Sequence, residues 1–451
     1  MKAKKHLSFT ALRRFVSDQV ACWPDARRQN SASYSVHDGV MSGFACMYFQ
    51  EPSMLQFQKH LQDELHQNNL RTLFGVKKLP TTHALKEILD NQDSKHFNPV
   101  FKGIVQQLQR GKQLDQFKLY EGLTICSLDG TQYYRSESVR CSKCLTKHKD
   151  NPDKATIYQH HALQAALMHP DLKTVIPMMA EPIGNADGAK KQDCEINAAK
   201  RLIPQLRQQH PRMKLIITGD DLFSRQPMIE CVLDNRFHYF FVAKPASHAY
   251  LMEWLDTYEQ LHEHRGKNAR GRTILYQWMN DVPLHGEKDA IRVNYLCKKT
   301  LATDPNGNEK VVKTESWVTD LEVTRDNVAL FARGAKCRWK IENECFNTLK
   351  NQGYHLEHNY GHGEKHLSFN FYLLTLLAFL FHQVFELCDP AYQVCRQKWS
   401  KRLLWEKLRS TICLLIFDSW EQLLGLLLNR DHFDIQSGYM VVLRPSAQSP
   451  P

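Results

Sequence analysis

Four short apolar runs between residues 123 and 245 constrain the fold of this chain more than any other feature. They read LTICSLDG, KTVIPMMAEPI, KLIITGDD and FHYFFVAKP, and each is bounded by turn-forming residues. A helical pattern, CEINAAKRLIPQLRQQH, separates the second run from the third. Runs short enough to be buried on both faces, alternating with a helix, indicate a largely parallel α/β sheet.

The segments around these runs predict an α+β fold in five regions. Residues 1–118 carry apolar residues at helical spacing and predict a helical N-terminal region. Residues 119–244 and 317–385 are expected to form a mixed-sheet core flanked by helices. Residues 245–316 predict a β-rich insertion, because IRVNYLCKK alternates apolar and polar residues and DPNGN is a hairpin turn signal. Residues 386–451 predict a helical C-terminal region.

One N-terminal helix has a clear start signal. In GVKKLPTTHALKEILD, Thr81 and Thr82 follow a proline and precede apolar residues at helical spacing, as in a capped helix. Basic side chains beside it would let this helix lie against DNA as the second helix of a helix-turn-helix, so residues 1–118 are predicted to bind DNA. An ordinary solvated helix start is an equally good interpretation of the same residues.

Charge and cysteine content narrow the class of protein. The 451 residues include 59 Lys plus Arg against 48 Asp plus Glu, and the net charge of +11 favours a polyanionic partner such as nucleic acid. The 13 cysteines are too few for a secreted disulfide scaffold, and the basic start lacks the apolar core of a signal peptide.

The apolar run Phe371–Phe381 is shorter than the roughly 20 residues that a bilayer span needs. The sequence therefore predicts a soluble, cytoplasmic protein in which this run is a buried core helix.

Three acidic residues stand where carboxylates are unexpected. Asp129 ends the apolar part of LTICSLDG, Asp220 follows KLIITG, and Glu342 interrupts a predicted helix. Carboxylates at the ends of neighbouring buried strands meet in the crevice where open α/β sheets bind ligands. Oxygen ligands suit Mg²⁺ or Mn²⁺, and two such ions about 4 Å apart catalyse phosphodiester chemistry. The alternative for each aspartate is an ordinary turn or helix-capping residue.

Basic residues flank the glutamate in RWKIENECFNTLK. Arg338 lies four residues before Glu342, so on a helix these two side chains share a face, and Lys350 lies eight residues after Glu342, about two turns along. Cations on either side of a metal-binding glutamate would hold the phosphates beside a scissile bond, which predicts Arg338 and Lys350 as DNA-binding residues. The alternative is a solvated ion pair between Arg338 and Glu342.

Two of the acids have an acidic neighbour that competes for the same role. Asp221 adjoins Asp220, and Glu344 follows Glu342 by two residues. Asp220 is preferred because it directly follows the apolar run and its glycine. Glu342 is preferred because it keeps the four-residue step from Arg338.

The order of these motifs, LDGT then TGDDLFS then RWKIENECFNTLK, is similar to that of the insertion-sequence-four family of DDE transposases. The resemblance covers about residues 35–385. It implies an RNase H-like catalytic domain with a β-rich insertion before the glutamate. It also implies that Asp129, Asp220 and Glu342 match the three catalytic acids, which would hold two Mg²⁺ or Mn²⁺ ions.

The last signature of that family is altered here at two positions. The family pattern runs Tyr, two spacers, Arg, three spacers, Glu, six spacers, Lys. Ala335 stands at the tyrosine position, and Lys350 lies one residue late. One extra residue turns a helical side chain by about 100°, so we expect Lys350 to reach a different phosphate or none. The tyrosine is not a metal ligand, and we expect catalysis to survive its loss.

A second chemical signal is the pair Cys141 and Cys144, followed by His148. Two thiolates at this spacing suit tetrahedral Zn²⁺, and His148 is a candidate third ligand. Cys194 is the candidate fourth ligand, because it opens the helix after the second apolar run and could fold back over the pair. Reduced thiols that are merely packed are an equal alternative to structural zinc.

A histidine-rich stretch follows the glutamate helix. Its candidate ligands are His355, Glu357, His358, His362 and His366. Their spacings repeat no ligand motif, and the neighbouring glycines indicate a turn. We therefore expect solvated or phosphate-facing histidines here, not a metal site.

The predicted insertion also contains a candidate nucleic-acid contact. RGKNARGR holds four basic residues in eight, and Trp278 lies nearby. Basic loops with aromatic residues suit unstacked bases, and transposases of the resembled kind use an insertion tryptophan in this way. Trp278 is therefore a candidate DNA-binding residue, with a packed strand position as the alternative.

The residues alone indicate metal-assisted phosphodiester chemistry. The resemblance implies a DNA transposase that cleaves transposon ends and transfers the freed 3′-hydroxyl into target DNA. Its partners would be double-stranded DNA with terminal inverted repeats, target DNA, and a second copy of the chain when two ends are synapsed. Two alternatives remain open from the sequence. One is an RNase H-like nuclease without strand transfer, and the other is a catalytically inactive, zinc-containing DNA-binding relic.

Overall fold

The computed structural model describes most of the chain, and every structural statement below refers to that part. The described residues are 4–27, 33–61, 63–149, 151–185, 192–257, 261–268, 271–305, 308–428, 433–435 and 443–445. Four residues of predicted motifs lie outside them. These are Ala269 and Arg270 of RGKNARGR and Asn306 and Gly307 of DPNGN.

The chain folds into helices and strands whose bounds are as follows. The strands are β1 (Lys118–Tyr120), β2 (Leu123–Ser136), β3 (Leu145–Lys147), β4 (Ile157–Met168), β5 (Ile176–Ile183), β6 (Leu215–Gly219), β7 (His238–Val242), β8 (His262–Lys267), β9 (Thr273–Pro283), β10 (Arg292–Thr303), β11 (Glu309–Thr319), β12 (Phe433–Ile435) and β13 (Leu443–Pro445). The helices are α1 (Phe9–Ala21), α2 (Val36–Tyr48), α3 (Met54–His60), α4 (Glu64–Phe74), α5 (Thr82–Asp90), α6 (Asn98–Arg110), α7 (Glu195–Gln209), α8 (Gln226–Asp234), α9 (Ala249–Asp256), α10 (Val328–Lys336), α11 (Asn347–Asn351), α12 (Leu367–Cys388), α13 (Pro390–Lys398), α14 (Lys401–Ile412) and α15 (Trp420–Leu428). A π-helical turn, Ile341–Phe346, leads into α11.

A large mixed sheet forms the centre of the protein, flanked by helices. Its strand order is β3-β4-β2-β6-β7-β11-β10-β9-β8, with β1 beside β2 and β5 beside β4. Only the β2–β6 and β6–β7 pairs of this sheet are parallel, so the prediction of a largely parallel sheet is wrong. The reason is β4, a strand that the four apolar runs did not include and that pairs antiparallel with β2 along its length.

The β-rich segment before the glutamate continues this same sheet. Strand β11 pairs with β7 and with β10, and β10 in turn pairs with β9. Thr303 lies opposite Glu309 at the end of the β10–β11 hairpin, where the sequence predicts a turn. The insertion therefore enlarges the central sheet and buries a layer of side chains against α10.

The helices at the two ends of the chain share one core with α12. The Phe9 and Trp420 rings stack with centroids 5.2 Å apart, Tyr48 meets Trp405 edge-on at 5.3 Å, and Phe381 of α12 lies among them. Contacts of this kind hold aromatic cores together. The regions that the sequence separates as 1–118 and 386–451 are thus packed against each other.

Helix α12 is long and apolar enough to cross a membrane by length and composition. In this structure 83% of its most apolar 18-residue window is buried inside the protein. It packs against α2, α5 and β5, which makes it a core helix here.

Candidate active site and metal centre

Two of the predicted acids follow neighbouring parallel strands in register. Ser127 of β2 lies opposite Thr218 of β6, and Asp129 and Asp220 each come two residues later. The prediction that Asp129 ends its strand is wrong. Strand β2 runs on to Ser136, because β4 continues to pair with it beyond the Asp-Gly sequence. Because β2 and β6 are parallel, their register still gives Asp129 and Asp220 matching positions along the two neighbouring segments.

The third acid joins the first through one buried arginine. Arg338 Nη1 lies 3.4 Å from Asp129 Oδ2 and 3.3 Å from Glu342 Oε1. Arg338 is 9% exposed, and its Nε has no hydrogen-bond partner among the described residues. The four-residue spacing of Arg338 and Glu342 thus produces the predicted shared face. Asp129 and Glu342, which are far apart in the chain, meet at a single guanidinium nitrogen.

A fourth carboxylate, Glu195, lies in the same cluster and was missed by the sequence analysis. It is the first residue of α7, and its carboxylate lies directly over Gly130. A Cβ at position 130 would displace that carboxylate, so glycine permits the close approach seen here. Electrostatic interactions link Glu195 to Asp129, Asp220 and Arg338.

The crowding of carboxylates changes their protonation. Burial raises the pKa of the Asp129 carboxyl to about 7; Arg338 opposes this rise, and the charges of Glu195 and Glu342 add to it. Burial also raises the pKa of Glu195, and Asp220 shifts it in the same direction. Near neutral pH the Asp129 carboxyl is therefore partly protonated, and a divalent cation would displace that proton.

The competing acidic neighbours have other partners. Asp221 accepts a hydrogen bond from the Lys244 backbone N–H at 2.8 Å and so ties the chain after β6 to the chain after β7. Glu344 interacts electrostatically with Lys401 of α14. Asp220 also has a capping role, because its Oδ1 accepts a hydrogen bond from the Leu222 backbone N–H at 2.9 Å. Asp220 and Glu342 belong to the cluster through their interactions with Glu195 and Arg338, respectively.

The π-helical turn changes the expectation for Lys350. An i→i+5 turn holds one more residue than an α-helical turn, so it takes up the extra residue between Glu342 and Lys350. The rotation of about 100° expected for a regular α-helix does not apply unchanged here. Lys350 Nζ lies 2.9 Å from Glu357 Oε1 in this structure.

Two tryptophans, Trp278 and Trp339, differ in their exposure to solvent. Trp278 is 5% exposed and packs within the sheet, because the inward positions of β9 alternate along the strand. The prediction that Trp278 stacks on DNA is therefore not supported by its burial. Trp339 is 50% exposed, and the Arg338 guanidinium lies 4.8 Å from its ring centroid. An exposed indole thus lies beside the acid cluster.

The cysteine pair meets two histidines that the sequence analysis did not assign to it. One ligand atom each from Cys141, Cys144, His160 and His362 lies within 4.8 Å of the others. His160 comes from β4, and His362 comes from the loop between α11 and α12. His362 thus lies where it could ligate a metal, although the stretch that contains it was expected to hold solvated or phosphate-facing histidines.

The two other predicted ligands, His148 and Cys194, do not belong to this group in the described part of the chain. His148 has a left-handed backbone conformation, with φ of 62°, in the loop after β3. Cys194 is exposed at the start of α7, where Glu195 turns toward the acid cluster. His148 was predicted as a ligand because it lies close to the cysteine pair in sequence. His160 lies close to the cysteine pair in the structure because β4 pairs antiparallel with β2.

Comparisons with known proteins add little to this geometry. No protein-family model matches the sequence, and no curated protein matches it. Among solved structures, the chain is similar to the piggyBac transposase in a synaptic complex with hairpin DNA. The TM-score is 0.41 and the identity 9%, over 94% of this chain and 80% of that chain. A TM-score of this size does not establish a common fold.

Proposed function

We propose that this protein is a DDE transposase, an enzyme that cleaves DNA at transposon ends and joins the 3′-end to target DNA. The observation that carries the proposal is the meeting of Asp129 and Glu342 at Arg338 Nη1, with Asp220 in the matching position of the next parallel strand. Asp129 and Glu342 come from distant parts of the chain and share one buried guanidinium, and clusters of charged groups with a raised carboxyl pKa concentrate at functional sites.

The donor set fits hard divalent cations. Asp129, Asp220 and Glu342 would hold two Mg²⁺ or Mn²⁺ ions, which supply charge stabilisation and an activated oxygen nucleophile when bound. The raised pKa of Asp129 supports this assignment, because a cation would favour the ionised carboxylates that crowding disfavours. Arg338 balances the charge of two acids and is positioned to contact a phosphate beside them.

The strand order supports an RNase H-like core. Strands β5, β4 and β2 are antiparallel neighbours, and β6 and β7 follow as parallel neighbours of β2. Helix α7 connects β5 to β6, and α8 connects β6 to β7. The proposal is supported by the parallel β2–β6 pairing, because Asp129 in β2 and Asp220 directly after β6 follow paired residues by two positions each, as a two-metal phosphoryl-transfer site would need.

The exposed residues beside the cluster suit a DNA partner. Trp339 offers an aromatic face next to Arg338, and the chain carries a net charge of +11. Bases stack on exposed aromatic rings, and basic surfaces attract the phosphate backbone. We assign the stacking contact to Trp339 in place of Trp278. Double-stranded transposon ends, target DNA and a second copy of the chain complete the proposed assembly.

The test is cleavage of the DNA that flanks the reading frame, with purified full-length protein and Mg²⁺ or Mn²⁺. Asp129→Asn, Asp220→Asn and Glu342→Gln should each reduce nicking at least about 100-fold while DNA binding persists. Glu344→Gln is the matched control, because Glu344 faces Lys401, and it should cleave normally.

The products separate this proposal from its rivals. Joined 3′-ends in a target plasmid support a transposase, and nicks without joining support a nuclease. A protein that binds terminal-repeat DNA without nicking it contradicts an active enzyme and favours a DNA-binding relic.

A further inference from the structure

The two thiols and two imidazoles of the cysteine–histidine group are spaced like the corners of a tetrahedron. The Sγ atoms of Cys141 and Cys144 are 3.8 Å apart, and the Nε2 atoms of His160 and His362 are 3.1 Å apart. Cys144 Sγ lies 3.4 Å from His160 Nε2 and 3.5 Å from His362 Nε2, and Cys141 Sγ lies 3.6 Å from His160 Nε2.

These separations match those around one zinc ion. With Zn–S bonds of about 2.3 Å and Zn–N bonds of about 2.0 Å, a tetrahedron has sulphur–sulphur edges of about 3.8 Å and nitrogen–nitrogen edges of about 3.3 Å. Sulphur–nitrogen edges are about 3.5 Å in the same geometry. A disulfide would instead place the two sulphurs about 2 Å apart. We infer that Cys141, Cys144, His160 and His362 bind one structural Zn²⁺.

The surrounding hydrogen bonds prepare these ligands for a metal. His362 Nδ1–H donates to the Gly363 carbonyl at 2.8 Å, which leaves the Nε2 lone pair facing the thiols. Gly363 has φ of 66°, a left-handed conformation that glycine adopts without strain. The Cys141 backbone N–H points to Cys144 Sγ at 3.4 Å and would stabilise a thiolate there.

The packing around the group supports a structural and not a catalytic ion. Four protein ligands fill a tetrahedral site, so no position is left for water or substrate. The Tyr134 ring lies 4.5 Å from the His362 ring and 5.4 Å from the His160 ring, and its hydroxyl donates to the Val139 carbonyl at 2.8 Å. Cys144 and His160 are buried.

The ion would join three segments that are distant in sequence. Cys141 and Cys144 precede β3, His160 lies on β4, and His362 follows the helical segment that carries Glu342. Strand β4 pairs with β2, the strand of Asp129. Zinc would therefore fasten the segment after the glutamate helix to the strand pair that holds the first aspartate. This inference does not depend on the proposed transposase activity.

The experiment measures metal content in full-length protein purified without chelators. We expect about one zinc per chain, and its loss in Cys141→Ser and in His362→Ala. His362→Cys should retain zinc, because a thiolate can replace the imidazole. Two matched controls should also retain it. They are His358→Ala, in the same loop, and Cys194→Ser.

A second measurement applies if the zinc-free variants do not fold. Wild-type protein loaded with Co²⁺ in place of zinc should show the intense visible absorption of a tetrahedral site with two thiolates. Protein without bound zinc, a weak octahedral Co²⁺ spectrum, or zinc that persists in both Cys141→Ser and His362→Ala would overturn the assignment.

Discussion

Two clusters of candidate metal ligands lie beside the β2–β4 strand pair, and they differ in how completely the protein surrounds them. Asp129 lies opposite Gln164 of β4, and Tyr134 lies opposite His160 of the same strand. Gln164 and His160 are four residues apart, which is about 13 Å along a strand. One sheet therefore carries an acid cluster and a cysteine–histidine group as near neighbours.

The difference between the clusters is one of openness and charge. The cysteine–histidine group has four soft ligands at tetrahedral spacing, so it can hold an ion without outside help. The acid cluster has hard oxygens held around an arginine, and their mutual repulsion helps keep the pKa of Asp129 near 7. A closed site stabilises a fold, whereas an open site gains its missing ligands from water and substrate. We expect the two clusters to respond differently to every perturbation below.

Metal removal should give the largest contrast. Stripping zinc with a soft chelator is expected to lower the thermal unfolding midpoint by about 10 °C or more, because structural zinc contributes folding energy directly. Omitting Mg²⁺ is expected to abolish DNA cleavage and to lower that midpoint by a much smaller amount. Differential scanning fluorimetry and a nicking assay on the same samples measure both effects. Equal loss of stability on removing either metal would contradict the distinction.

Trp278 and Trp339 offer a second comparison, between a buried side chain and an exposed one. Trp278→Ala should destabilise the protein by about 3 to 5 kcal/mol, because a buried indole is removed from the sheet. Trp339→Ala should leave the unfolding midpoint unchanged and weaken DNA binding by about 10-fold, which corresponds to one lost stacking contact. Thermal unfolding and fluorescence anisotropy with labelled DNA separate the two outcomes. Loss of stability in Trp339→Ala would contradict its surface role.

The raised pKa of Asp129 predicts how stability depends on pH. Since the folded pKa of about 7 exceeds the ordinary value of 3.8, the folded state holds a proton that the unfolded state releases. This contribution is complete below about pH 4 and is lost as pH rises through about 7. A shift of this size corresponds to at most about 4 kcal/mol.

The measurement compares wild-type protein with Asp129→Asn in magnesium-free buffer without chelator, so that bound zinc is kept. The variant should gain stability relative to wild type between about pH 5 and about pH 8. Millimolar Mg²⁺ should restore wild-type stability at the higher pH. A stability difference that does not change with pH would show that Asp129 is ionised throughout.

Glu195 should give the smallest effect. Its charge raises the pKa of Asp129, so Glu195→Gln should move the pH midpoint for Mn²⁺ binding downward by less than about one unit. Glu230→Gln, at an exposed position on α8, is the matched control and should leave the midpoint unchanged. Titration calorimetry over a pH series measures the shift. An upward shift would show that Glu195 does not interact with Asp129 as a negative charge.

The sequence predicted those parts of the site that depend on local spacing. Arg338 and Glu342 meet because residues four apart share a helical face. Asp129 lies within β2 and Asp220 directly after β6, each two residues beyond the last pair of the parallel β2–β6 ladder. The helix starting at Thr82 is also capped by Thr81, whose side chain accepts a hydrogen bond from the Ala84 backbone N–H, as its sequence indicates.

The sequence did not reveal β4, and two errors followed from that omission. The second half of IYQHHALQAALM is buried on both faces and rich in alanine, so it shows no alternation and little strand preference. Without β4 the sheet was expected to be largely parallel. His160 was also left out of the zinc site, because only the pairing of β4 with β2 brings it near the cysteines.

The remaining omissions come from contacts set by tertiary structure. His362 lies 218 residues after Cys144, and no spacing rule connects them. Glu195 enters the acid cluster because α7 begins over Gly130, where the absence of a side chain leaves room. In the sequence Glu195 has the appearance of an ordinary acidic residue in the first turn of a helix.

The most direct test of the acid cluster is a crystal structure with Mn²⁺, recorded at the manganese absorption edge. We predict two anomalous peaks about 4 Å apart, bound by oxygens of Asp129, Asp220 and Glu342. Peaks bound only to other residues, or no manganese at these acids at concentrations that support cleavage, would contradict the proposed site.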